Sequence, residues 1–366
     1  MQTLVLFYLL AVAIQVIYFV VLWVSISKKR LNQAVSAHPV SVIVCAHDEE
    51  QNLRELIPLL LKQQHPDFEV IIINDRSNDN TYDMLLEETK KDDRLKMVDV
   101  KRTPEHVNGK KFGITLGIKA AKHEWVLLTD ADCRPDSDQW LRAMSEQFAD
   151  DKNFVLGYSA YEKRPGFLNL FIRFETLFTA IQYIGYALAG NPYMGVGRNL
   201  AYRKSVFLDN KGFSNFLNVT GGDDDLFVNR HATAKTTAVA LGTDALVHSF
   251  PKTTLKEFYN QKVRHLSVGK KYRFKHQFLL AVFFVTHLIT WFAGIPLLFF
   301  SSAILWVGSA VIFRMLIVTL TVHQAAERFG QKFESWAVPL LDFLFVIYYI
   351  STAPVAFLTK KIRWKS

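Results

Sequence analysis

An α/β fold, with a mostly parallel sheet and helices on both faces plus transmembrane and interfacial helices, is predicted by three features of the sequence. Strand-like apolar runs alternate with helix-spaced segments between Val40 and Thr129. A near-continuous apolar run covers Leu4 to Ile26, with Gln15 its one strongly polar side chain. At about 1.5 Å per residue it is long enough to cross a hydrocarbon core of roughly 30 Å. A second apolar block extends from about Phe278 to Leu358.

Residues 1–27 read as an N-terminal transmembrane anchor. A signal peptide is the alternative, but no basic residue precedes the run and it is longer than the apolar core of such peptides. Lys28-Lys29-Arg30 follow at once and place its C-terminal end in the cytoplasm. Residues 28–250 read as a cytoplasmic domain. Its first strand is 40–45, apolar between Pro39 and the polar cluster at 47–50. Segment 52–64 has apolar residues at Leu53, Leu56, Ile57, Leu60 and Leu61, which is helical spacing. Strands follow at 68–73, 95–100 and 125–129, and helices at 80–90 and 111–121. Ligands of such sheets bind at the carboxyl ends of the strands. His47, Asp75, Asp130 and Asp132 all fall there.

Segment 167–189 is apolar enough to span a bilayer, but Arg173, Glu175 and Gln182 interrupt it. An interfacial helix is the expectation. Residues 251–276 read as an amphipathic interfacial helix and 277–358 as C-terminal transmembrane helices, with candidate spans at 278–300, 303–322 and 336–358. Arg314 and Asp342 lie inside the last two, so they should face protein or water. Three crossings here would put the basic tail 359–366 outside, against the positive-inside rule. Two crossings and one interfacial or re-entrant helix would keep it inside, which is the expectation adopted.

The chain has 366 residues, half of them hydrophobic, and a formal net charge of +9. Much of the basic excess lies beside the apolar segments, at 28–30, 270–275 and 360–365. Attraction to anionic lipid heads explains that placement better than nucleic-acid binding, and no nucleic-acid partner is expected. The two cysteines, Cys45 and Cys133, fall in the region assigned to the reducing cytoplasm, so free thiols are expected.

The stretch Trp125-Val-Leu-Leu-Thr-Asp-Ala-Asp-Cys133 carries the chemistry. Asp130 and Asp132 sit one residue apart at the end of a buried strand, and in extended chain their side chains point the same way. Two such carboxylates repel unless a cation joins them. Hard oxygen ligands of this kind suit Mg²⁺ or Mn²⁺, which also bind substrate phosphates.

With these residues in place, the chain resembles the family 2 glycosyltransferases, whose nucleotide-sugar-binding fold is of the GT-A type. Val40-Ser-Val-Ile-Val-Cys-Ala-His-Asp-Glu-Glu50 resembles the family's opening strand and turn, and Ile71-Ile-Ile-Asn-Asp-Arg-Ser-Asn-Asp79 its second acidic motif. Asn108-Gly-Lys110, Thr129-Asp-Ala-Asp132, Gly195-Val-Gly-Arg-Asn-Leu-Ala-Tyr202, Gly222-Asp-Asp-Asp-Leu226 and Gln261-Lys-Val-Arg-His265 follow in the family's order. The flanking apolar helices are similar to those of ceramide glucosyltransferases and, more distantly, cellulose and hyaluronan synthases.

The resemblance implies roles. Donor contacts would come from His47, Glu49, Asp75, Lys110 and Asp130. The divalent ion would be held by Asp132 with Asp130. Asp223 would be the general base of an inverting transfer, with Asp224 or Asp225 as alternates and one of them a helix cap. Gln261, Arg264 and His265, at i, i+3 and i+4, would share a helix face over the donor diphosphate. The implied enzyme is a multi-pass cell-membrane hexosyltransferase that takes a nucleoside diphosphate sugar, UDP-linked, to a lipid or lipid-linked hydroxyl. A processive polysaccharide synthase and a non-catalytic scaffold of the same fold are the competing readings. His265, where processive synthases carry tryptophan, counts against the first. Gly222, in place of the family's glutamate, is the support for the second.

Overall fold

The computed structural model describes residues 2–28, 38–105, 107–217 and 219–359. Lys29, Arg30 and the basic tail from Lys360 to Lys365 lie outside the described residues.

The chain opens with helix α1 (Gln2–Ser27) and then alternates β1 (Val40–Ala46), α2 (Glu50–Leu61), β2 (Phe68–Asp75), α3 (Thr81–Glu88), β3 (Leu95–Val100), α4 (Gly109–Ala120) and β4 (Trp125–Asp130). These four strands are parallel, with β1 between β2 and β4. β2 is buried along its whole length. Strands covered on both faces read as continuous apolar runs, which is why the sequence shows them so plainly. On one face α2 buries Leu53, Leu56, Ile57 and Leu60, as its spacing predicts. On the other lies α4, capped by the Asn108 side chain, which accepts from the Lys111 amide. A Cβ on Gly117 would stand 2.7 Å from Ile73 Cδ1, so glycine is what lets α4 lie this close to the sheet. That approach brings Lys110, in the helix's first turn, to the strand ends.

Past Asp130 the elements shorten. β5 (Cys133–Pro135), α5 (Trp140–Ser145), β6 (Phe154–Leu156) and β7 (Ser159–Tyr161) precede the long helix α6 (Phe167–Leu188). Then come β8 (Leu200–Arg203), α7 (Lys204–Asp209), α8 (Asp225–His231), β9 (Thr237–Val239) and β10 (Val247–Ser249). The main sheet has the order β3-β2-β1-β4-β8-β6-β9, with β8 antiparallel to both neighbours. A second sheet has the order β5-β10-β7. Trp125 stacks on Phe148 with ring centroids 4.1 Å apart; burying each such ring is worth about 1.5–3 kcal/mol. Both cysteines are free.

The remaining helices are α9 (Leu255–Leu266), α10 (Phe274–Phe292), the short α11 (Gly294–Leu297), α12 (Ile304–Arg328) and α13 (Val338–Leu358). Among the described residues, four helical stretches are long and apolar enough to cross a membrane: Gln2–Ser27, Phe274–Leu297, Ile304–Arg328 and Ser335–Leu358. α1 packs against α12, α10 and α6. Arg314 and Asp342 face protein, as expected. Arg314 Nη1 donates to Asp342 Oδ2 at 2.7 Å and its Nη2 to Gln15 Oε1 at 3.1 Å, and Trp291 Nε1 donates to Asp342 at 2.8 Å. Gln15, the one strongly polar residue of the first apolar run, is thus part of a buried junction joining α1, α10, α12 and α13.

Segment 167–189 departs from the interfacial expectation. α6 is buried around most of its circumference, from Phe171 to Ala187. Phe178 meets Phe19, Phe283 and Phe345. Arg173 donates to Glu334 Oε2 and the Lys332 carbonyl, both at 2.8 Å, and Glu175 is ion-paired with Lys262. The charges that looked like the polar face of a surface helix are satisfied inside the protein.

Candidate active site

A cavity of about 1300 Å³ opens at the carboxyl ends of β1, β2 and β4 and continues between α6, α9, α10 and α13. Every residue assigned a role from the sequence lines it: His47, Glu49, Asp75, Lys110, Asp130, Asp132, Asp223, Asp224, Asp225, Gln261, Arg264 and His265.

At the β1 and β2 ends the His47 ring meets the Asp75 carbonyl through Nδ1 at 2.6 Å. Glu49 accepts from Asn52 Nδ2 at 2.6 Å. Both carboxylate oxygens of Asp75 accept from Arg76, at 2.8 and 3.2 Å. The sequence did not single out Arg76, which adopts a positive φ of 57°. A Cβ on Gly109 would stand 2.4 Å from Arg76 Nη2, so the α4 glycine leaves room for this pair.

The strand geometry assumed for Asp130 and Asp132 is corrected. β4 ends at Asp130, and Ala131 and Asp132 form a turn before β5. Both carboxylates still line one cavity, because the turn re-aims the second. Lys110 Nζ is 2.9 Å from Asp130 and 3.5 Å from Asp223. Its charge is thus shared by two carboxylates. Burial pushes the Asp130 carboxyl up, but Lys110 outweighs it and holds the group below its ordinary value. Asp132 moves the other way: burial, and next the charge of Asp130, raise it.

The three consecutive aspartates are divided by their partners. Asp224 caps α8, accepting from the amides of Asp225 at 2.8 Å and Gly197 at 2.7 Å. Asp225 accepts from Tyr272 Oη at 2.8 Å. Asp223 faces Lys110. Burial and the neighbouring Asp223 push the Asp224 acid up to about 6, and burial with Asp224 raises Asp225 well above the carboxylate range. Gly222, at φ 80°, turns the chain into this cluster.

α9 begins at its Thr254 cap, whose hydroxyl accepts from the Glu257 amide at 3.2 Å. Gln261 Nε2 donates to Tyr161 Oη at 3.2 Å. Arg264 lies half-buried on the cavity wall. Arg198, also on the wall, was quoted within a motif but given no role. Its guanidinium lies 4.5 Å from the Tyr161 ring centre, and its buried charge reaches Asp130 and Asp132. A single arginine in the apolar run from Gly195 to Ala201 was the available signal. Asn199 pins that loop, donating to the carbonyls of Tyr158 and Ala245, both at 2.8 Å.

Among the described residues no group of three or more His, Cys, Asp or Glu side chains converges as a complete metal site. Two carboxylates at one rim, one of them raised by burial and by the other's charge, fit a hard divalent ion that completes its shell with substrate oxygens and water. Asp132 and Asp130 are the residues that would hold it.

Residues 41–209 match the family model of glycosyl transferase family 2. The matched segment runs from Ser41 in β1 through β8 and includes Asp75, Asp130 and Asp132. Poly-beta-1,6-N-acetyl-D-glucosamine synthase of Staphylococcus epidermidis is 34% identical over 99 residues, which is 27% of this chain and 23% of that protein. An uncharacterized glycosyltransferase of Haemophilus influenzae is 39% identical over 75 residues, 20% of this chain and 23% of that one. The chain thus matches under a quarter of the length of these relatives. In fold it is similar to the mannosyltransferase PcManGT from Pyrobaculum calidifontis, solved in complex with GDP-Man and Mn²⁺. That likeness has a TM-score of 0.64 at 16% identity and covers 98% of this chain and 99% of the other. The GT-A type of α/β fold is therefore established, and the chain carries a glycosyltransferase domain.

Proposed function

We propose that the chain is an inverting, metal-dependent glycosyltransferase. It moves one sugar from a nucleoside diphosphate donor, UDP-linked, to a hydroxyl of a lipid or lipid-linked acceptor at the cytoplasmic membrane face. The observation that carries this reading is the single cavity: it gathers the acidic strand ends, the aspartate cluster and the α9 face, then runs on between apolar helices.

In this reading the donor base lies at His47 and Asp75, and Arg264 with Gln261 borders the diphosphate. A divalent ion at Asp132 and Asp130 would supply positive charge against the leaving diphosphate. The acceptor oxygen attacks the anomeric carbon as the bond to the diphosphate oxygen breaks, and its proton passes to Asp223. Asp223 is preferred as base because Asp224 and Asp225 are engaged by backbone amides and Tyr272. General-base help of this kind contributes typically about 10²–10⁴-fold. The domain division 1–27, 28–250, 251–276, 277–358 and 359–366 is kept, with the tail on the catalytic side. Both ends of the α13 segment support this. Glu334, just before it, pairs with Lys163 and Arg173, while Ser351 and Thr359 accept from Tyr259 and Lys270.

The test is Mn²⁺-dependent release of nucleoside diphosphate from a panel of nucleotide sugars by the purified protein. Release that is abolished by Asp223→Asn is expected. Equal release by the variant would reject the base assignment, and no release from any donor would favour a scaffold. A processive polysaccharide synthase is the second reading, favoured by the similarity to the Staphylococcus epidermidis synthase; product length on one acceptor separates it from single transfer.

A further inference from the structure

The residues that interrupt the apolar run of α6 are not scattered. Glu175, Thr179 and Gln182 stand at i, i+4 and i+7, one stripe along the helix, and all three line the cavity. Asn169 and Arg173, nearer the start of α6, are bonded instead to the neighbouring segments 162–164 and 332–334. Glu175 is charge-neutralised by Lys262 and lies 3.5 Å from the hydroxyls of Thr176 and Thr179. Gln182 is only 7% exposed. Among the described residues its amide has no hydrogen-bond partner, and its open side is the cavity. Its amide atoms are not sealed off: they open on the cavity, where an occupant can bond to them.

Beyond the stripe the cavity wall turns apolar. Leu280, Phe284 and Phe292 of α10 face it from one side, and Tyr349, Ala353 and Phe357 of α13 from the other. Phe284 and Tyr349 touch across the gap, with ring centroids 5.4 Å apart, and Phe292 and Phe357 are exposed on the outer surface of the helices. The cavity therefore grades from carboxylates, through neutral donors and acceptors, to an apolar mouth between two membrane-length helices.

We propose that the Glu175–Thr179–Gln182 stripe of α6 binds the uncharged, hydroxyl- or amide-bearing head of a lipid acceptor, whose hydrocarbon tail leaves between α10 and α13. The word acceptor rests on the glycosyltransferase reading; the lipid-head subsite does not. A phosphate head is disfavoured by charge. It would stand beside the Glu175 carboxylate, whose partner Lys262 is already engaged. A neutral head meets a donor and an acceptor in Gln182 and hydroxyls in Thr176 and Thr179, and it presents its reactive oxygen towards Asp223.

The test is photolabelling of the full chain in nanodiscs with dodecyl β-glucoside carrying a diazirine at the tail end. Labelled peptides are expected from α10 and α13, with competition by unlabelled dodecyl β-glucoside and none by dodecyl phosphate. Gln182→Leu removes an unpartnered amide and leaves nothing stranded, so its melting temperature should match the parent's while labelling weakens by about tenfold. Thr179→Val provides a second variant on the same stripe. Labelling unchanged in both variants, labelling elsewhere on the chain, or equal competition by dodecyl phosphate would overturn the proposal. Labelling needs no nucleotide sugar, so a protein that labels as expected but turns over no donor contradicts the transferase reading and upholds the subsite.

Discussion

Asp223, Asp224 and Asp225 share one backbone turn and differ in what holds them. Asp224 is fixed by two amides and its acid is raised to about 6 by burial and by Asp223. As pH falls through about 6, Asp224 takes up a proton and a negative charge beside Asp223 and Lys110 is lost. An acidic limb of kcat/KM near pH 6 is expected, and Asp224→Asn should abolish it. A limb that stays in place would dissociate Asp224 from the working group. At the other end of the site, Asp75→Ala should weaken nucleoside diphosphate binding by about tenfold to a hundredfold, the range for a lost charged hydrogen bond, as read by calorimetry. The sequence identified these carboxylates because they punctuate apolar strands. It did not show that Arg76 occupies both oxygens of Asp75, because that pairing depends on a left-handed residue and on the missing side chain of Gly109.

Among the elements, β1 to β4 were readable from composition because each is sheathed on both faces. β5, β6, β7, β9 and β10 are three residues each, too short to show any period, and only pairing defines them. α6 looked interfacial because a helix buried among other apolar helices has the composition of a membrane segment, and its charges signal a polar face until their partners are known. The α1–α10–α12–α13 junction makes a sharper demand. Arg314 and Asp342 are fully buried, so Asp342→Ala leaves a guanidinium unpaired and should destabilise the helices by about 3–5 kcal/mol, read as a lowered melting temperature in detergent. A stability equal to the parent's would mean that water or lipid reaches the pair. The anchoring of both ends of the α13 segment to catalytic-side residues also has a consequence. Ser366→Cys should react with a membrane-impermeant maleimide only from the side that exposes the catalytic domain, and labelling from the opposite side would make α13 a full crossing.

At the scale of the molecule, a sheet that presents acidic ends to a cavity is set directly against helices of membrane length, the arrangement that the proposed transfer from a soluble donor to a lipid requires. All of the residues picked from the motif order line that cavity, since the motifs mark strand ends and one helix face that the topology brings together. The apolar continuation between α10 and α13 was not legible, because it depends on how distant helices pack. The central claim is that Asp132 and Asp130 hold a cation that in turn holds the donor's diphosphate. Calorimetric titration of UDP and of GDP into the purified protein, with Mn²⁺ and with a chelator, tests it most directly. Tight binding of at least one nucleotide that requires Mn²⁺ and is lost in Asp132→Ala is the result expected. Binding of equal strength in the chelator, or binding unaffected by Asp132→Ala, would contradict it.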